Sequence, residues 1–104
     1  MSHALLRLVP ASDLDDSCLS PAERRLCAEL GSEALRRASR VAAKQAVCAL
    51  LPAGTVPADV ALGRSADGAP VAGRRDGGDG GDGPLPAVSL SHSAGWGAAL
   101  AWLP

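Results

Sequence analysis

The hydrophobic pattern changes character along this chain, from one short apolar run, through two helical stretches, to two pairs of short apolar runs. His3–Val9 (HALLRLV) is predicted as a strand that Pro10 closes. Ser20-Pro21-Ala22-Glu23 is a helix start, with a capping Ser, Pro at the first helical position and Glu three residues after the cap. That helix runs to about Leu30 and stops at Gly31. Ser32 is placed to cap a second, longer helix that continues to about Leu51 and ends before Pro52 and Gly54. Ala58–Arg64 reads as a strand, Ala66-Asp67-Gly68 as a turn and Pro70–Ala72 as a short return strand. Val88–Ser91 and Trp96–Leu103 then flank a polar, glycine-containing turn that carries Ser91, His92 and Ser93. This order predicts an α+β domain, a small antiparallel sheet packed on one long helix.

Two of these elements depart from the simple amphipathic pattern. In the last strand one face shows Trp96, Ala98, Leu100 and Trp102, and the other Gly97, Ala99, Ala101 and Leu103. Neither face is polar, so both are expected to be covered, one by the helix and one by something else. In the long helix, Leu35, Ala38, Ala42, Ala46, Ala49 and Leu50 form a stripe of mostly small residues suited to lying close on a sheet. Arg36, Arg37, Arg40 and Lys44 recur at three- and four-residue spacing and are expected to form one positive ridge. Such a ridge serves either as a solvated face or as a binding surface for phosphates or an acidic protein.

Composition narrows the partners. With 104 residues the chain is read as one domain, and its 47% hydrophobic content leans on Ala, so oligomerisation is a natural way to bury more surface. A homo-oligomer is expected. The net charge of −1 and the lack of Phe and Tyr argue against nucleic acid as a partner. Cys18, Cys27 and Cys48 are an odd number without CxxC spacing, which fits reduced thiols in a cytoplasmic protein better than a disulfide framework or zinc. No apolar run reaches membrane-spanning length, and no secretory signal is visible. The Gly/Asp-rich stretch at about 74–84 is expected to be a flexible loop. It lacks the interleaved ligands and terminal Glu of an EF-hand.

Ser91-His92 invites a nucleophile-and-base reading. Neighbours on a strand point to opposite faces, which speaks against a hydrogen-bonded pair. His92 shares its face with Val88 and Leu90, where a structural histidine is the ordinary role.

The segment VSLSHSAGWGAALA (88–101) resembles the Ser-His motif of the 4′-phosphopantetheinyl transferase superfamily. Leu19–Arg25 (LSPAERR) is similar to that family's Ser-Pro-x-Glu helix start, and Arg40–Val47 (RVAAKQAV) to its Arg-x-Ala-x-Lys-Glu-Ala helix. Val60–Ala72, with Asp67-Gly68-Ala69-Pro70, is similar to its strand–Gly-x-Pro–strand segment. The resemblance implies that fold and the transfer of phosphopantetheine from coenzyme A to a serine of an acidic carrier protein, with Mg2+ on the diphosphate. It places His92 and Gln45 at catalytic positions, and Ser91, His92, Lys44 and Arg40 at coenzyme A. Where the holo-acyl-carrier-protein synthase branch has a helix Glu, this chain has Gln45, and the Gly-x-Asp strand is missing, so no residue is assigned to metal. The same order also resembles the amino-terminal half of the two-repeat surfactin-type transferases. Two alternatives accompany the transferase reading. One is a member repurposed as another enzyme on a small-molecule intermediate, such as a cyclase of a polyketide pathway. The other is a non-catalytic module that binds a carrier protein or partner.

Overall fold

The computed structural model describes residues 4–12, 14–29, 31–51, 54–64, 66, 69–74 and 86–103. Strand β1 (Ala4–Pro10) leads to helices α1 (Pro21–Glu29) and α2 (Glu33–Ala49). A short 3-10 turn, Pro57–Asp59, precedes β2 (Val60–Arg64) and β3 (Pro70–Arg74), and β4 (Ala87–Ser93) and β5 (Trp96–Trp102) close the chain. The fold is α+β. A three-stranded antiparallel sheet, ordered β1-β5-β4, lies on α2, with β2 and β3 forming a separate antiparallel ribbon.

Local chemistry explains where the helices begin. The Ser20 N–H donates to Glu23 Oε1 at 2.7 Å while the Glu23 N–H donates to Ser20 Oγ at 3.2 Å, the reciprocal capping box expected from Ser-Pro-x-Glu. The second start differs from expectation. Ser32 sits in the left-handed region at φ 49° directly after Gly31 at 77°, and its side chain makes no capping bond. Two left-handed residues in succession turn the chain sharply between the helices. The Gly31 carbonyl accepts a 2.7 Å bond from Arg36 Nε instead.

The last hairpin is longer than its sequence pattern suggested. Strand β4 continues through Ser91, His92 and Ser93, and the turn consists of Ala94 and Gly95, both with positive φ (52° and 82°). Cross-strand pairs such as His92 with Gly97 and Leu90 with Ala99 put the small residues of β5 against α2. Gly97 is the contact that sets this distance. A Cβ there would lie 2.2 Å from Ser39 N and 2.3 Å from the Ala38 carbonyl carbon. Ala38, Ala42, Ala43, Ala46, Val47, Ala99 and Ala101 are buried along the interface, so a core of small side chains works because helix and sheet approach closely.

The other face of the sheet is bare. Leu6 is 60% exposed, Leu8 58%, Trp96 48% and Leu100 40%. The register aligns Leu6 with Leu100 and Leu8 with Ala98, which makes one continuous apolar surface. The Ala66-Asp67-Gly68 turn falls largely outside the described residues, and the Gly/Asp-rich loop does so beyond Arg74.

Candidate functional site

The positive ridge expected on α2 does not form. Arg36 and Arg37 are partly exposed, but Arg40 is 4% exposed and Lys44 is fully buried. Spacing places the four on one side of the helix; it does not say which neighbours close over them. Lys44 Nζ donates to Glu23 Oε1 at 2.7 Å and to the Cys18 carbonyl at 2.9 Å. Glu23 Oε2 accepts the Leu62 N–H at 3.0 Å. One ion pair therefore ties α1, α2, β2 and the loop before α1 together. Burial acts to raise the Glu23 carboxyl, and the hydrogen bonds from Lys44, Ser20 and Leu62 outweigh it and hold it below the ordinary carboxylate range. Lys44 is thus neutralised in the core. The signal was present in its neighbours, since Val41, Ala42, Ala43, Ala46 and Val47 surround it with small apolar residues.

Arg40 is one helical turn away and has a different fate. It lines an open cleft of about 640 Å³ beside β4, together with Arg36, Ser39, Ser91, His92 and Trp102. Its Nη1 is buried and has no hydrogen-bond partner among the described residues. The guanidinium lies beside the thiol of Cys27, which burial pushes up while Arg40 pulls it down. A buried cationic donor left unpaired is costly, which makes Arg40 the notable group in the cleft. Ser39 Oγ is satisfied by the Arg36 carbonyl at 2.9 Å.

The cleft gathers three of the residues singled out from sequence, Arg40, Ser91 and His92. Ser91 and His92 face opposite ways on β4, so they are separate contributors and not a catalytic pair. Gln45 is elsewhere. It lines a smaller pocket of about 270 Å³ with Asp15, Ser17, Cys18 and Val41. The proposed catalytic residues His92 and Gln45 therefore do not share a cavity within one chain. Ser39, Trp102 and the start of β3 at Ala69 and Pro70 complete the His92 cleft; Ala69 and Pro70 belong to the Gly-x-Pro-like segment, whereas nothing in the sequence context of Ser39 or Trp102 pointed to it.

The chemistry of these side chains does not suit a hard divalent cation, which prefers anionic oxygens. No carboxylate is among the described residues that line the cleft. Gln45 contributes a neutral amide to the other pocket, beside one exposed acid, Asp15. No three His, Cys, Asp or Glu side chains among the described residues are grouped to hold a metal.

The fold recurs in solved structures. The Helicobacter pylori holo-acyl-carrier-protein synthase, in complex with coenzyme A, superposes with a TM-score of 0.75 at 19% identity, over 95% of this chain and 97% of that one. This is a phosphopantetheinyl transferase-like fold. The Mycobacterium tuberculosis acyl carrier protein synthase matches with a TM-score of 0.69 at 24% identity over 97% and 95% of the two chains. A coenzyme A complex of the Chronobacterium ammoniagenes synthase gives 0.72 at 20% identity, over 100% and 97%. No protein-family model matches the chain, and no curated protein sequence does either.

Proposed function

We propose that this protein handles coenzyme A in the manner of the phosphopantetheinyl transferases, with the cleft between β4 and α2 as its ligand site. The observation that carries this reading is Arg40, buried with its Nη1 unpartnered among the described residues, beside Ser91 and His92 on a fold shared with synthases solved in complex with coenzyme A. A guanidinium suits phosphate oxygens, β4 adds the Ser89 and Ser91 hydroxyls, and Trp102 adds aromatic area. In a transfer reaction His92 is the base that takes the proton of the acceptor serine, and the acceptor is an acidic carrier protein.

The bare apolar sheet face serves as a contact between copies of this chain. A homo-oligomer covers Leu6, Leu8, Trp96 and Leu100. Light scattering coupled to gel filtration tests this, and a monomer at working concentration overturns it.

Incubation with coenzyme A, Mg2+ and an apo carrier protein, followed by intact mass measurement, tests the function. A phosphopantetheine mass increase that His92→Ala abolishes is the expected result. No coenzyme A binding together with no mass increase overturns the proposal. Among the described residues, no helix is long and apolar enough to cross a membrane.

A further inference from the structure

The charge around the cleft is one-sided. Arg36 and Arg40 line it, His92 adds a third group able to carry positive charge, and no acid is among the described residues of its wall. Lys44 is also cationic and close in sequence, but Glu23 neutralises it and it is fully buried. Arg40 is held differently. It is 4% exposed, its neighbour Cys27 offers only a weak sulfur acceptor, and Nη1 is left without a partner. Two unlike fates for two buried cations on one helix mean that the fold can neutralise such a group, and among the described residues it does so at only one of them.

We infer that the cleft neutralises the phosphates of its ligand with the charge of Arg40 and Arg36, and that a divalent cation has no part in holding them. This rests on the coenzyme A reading above. A planar guanidinium, fixed by its packing and short one acceptor, offers a preformed donor to a phosphate oxygen. Arg36 is the second contributor. Its Nε donates to the Gly31 carbonyl at 2.7 Å, which anchors the side chain, and the residue lines the cleft. A cation bridging the same phosphates would need anionic ligands from the wall, and Gln45 and Asp15 belong to a different pocket. Cation and arginines would also compete for the same oxygens, so adding the metal brings no gain in affinity.

The test is calorimetric titration of coenzyme A into the full chain, once in excess EDTA and once in excess Mg2+ at matched ionic strength. The expected result is binding in both conditions, with affinities that agree within about threefold. Arg40→Met is expected to weaken binding at least about tenfold in EDTA, and Arg36→Gln by a smaller factor, each with its folding checked by circular dichroism. Binding in Mg2+ but not in EDTA overturns this inference and leaves the coenzyme A reading standing. Binding in neither condition overturns both. The comparison on the unaltered protein decides the question even if Arg40→Met does not fold.

Discussion

Replacing Arg40 by Met separates what this residue does for the fold from what it does for a ligand. In the free protein Arg40 is 4% exposed with Nη1 unpartnered. An unsatisfied buried donor costs about 1–3 kcal/mol, more when charged, while the lost contact to the Cys27 thiol is worth at most ~1 kcal/mol. Met has similar length, carries no donor and suits a partly irregular apolar site. The balance favours the variant by about 1 kcal/mol, which in a domain of this size raises the melting temperature by about 4–8 °C. Ligand should reverse the order. Saturation at about 100 times Kd adds ~2.7 kcal/mol to a protein that binds and almost nothing to one that does not. Thermal melts by circular dichroism, with and without coenzyme A, should therefore cross: Met above Arg when free, Arg above Met when loaded. A free variant that melts several degrees below the original would show Arg40 to be structural, and the reasoning would be wrong.

Other expectations concern the frame around the cleft. Gly97→Ala would place a methyl 2.2 Å from Ser39 N, against backbone that cannot swing away, so urea unfolding should show a loss of at least about 1–3 kcal/mol. A loss below ~0.5 kcal/mol would mean that the sheet and α2 are looser than their contact implies. Lys44→Met leaves Glu23 buried without its cation and should cost about 3–5 kcal/mol by the same measurement. Because the folded Glu23 carboxyl lies below its ordinary value, its contribution is fully present above the unfolded value of about 4.3 and is lost as pH falls through the folded one. Urea midpoints measured against pH should thus fall on the acid side, and Glu23→Gln should flatten that limb. Ala94 occupies a left-handed turn position that Asn adopts more readily, so Ala94→Asn should raise stability by about 0.5–1 kcal/mol.

Elements defined by local rules were readable in the sequence. The capping box at Ser20 and the two hairpins follow from side-chain spacing and turn residues alone, and the structure has both; of the close-packing stripe it buries Ala38, Ala42 and Ala46, with Ala43 and Val47 in place of the exposed Ala49. Misreadings arose where the outcome depends on a distant group. Ser32 looks like a cap, but the left-handed Gly31-Ser32 turn takes its place. Ser91 to Ser93 look like a turn because polar residues often make one, yet the Ala94-Gly95 pair supplies the positive φ values and lets β4 run on. The ridge on α2 failed in part for the same reason: the small apolar residues around Lys44 marked it as a core position, but its partner Glu23 lies 21 residues earlier. Of the site, Arg40, Ser91 and His92 were found through motif order, whereas Ser39 and Trp102 join them only through tertiary packing.

Helix α2 shows how one element divides its polar residues between fold and site. Arg40 and Lys44 are four apart and both buried, so their desolvation penalties are comparable. At Lys44 the penalty is offset inside the protein by a carboxylate and a carbonyl at 2.7 and 2.9 Å. At Arg40, which lines the cleft beside β4, Nη1 has no such partner among the described residues. Gln45, next to Lys44, lines a separate pocket, where its amide carries no charge. Arg36 and Arg40 are the α2 cations that line the cleft beside β4, while Arg37 is held by Asp16 and Glu33. An anionic ligand in that cleft therefore meets both arginines beside the strand that carries Ser91 and His92.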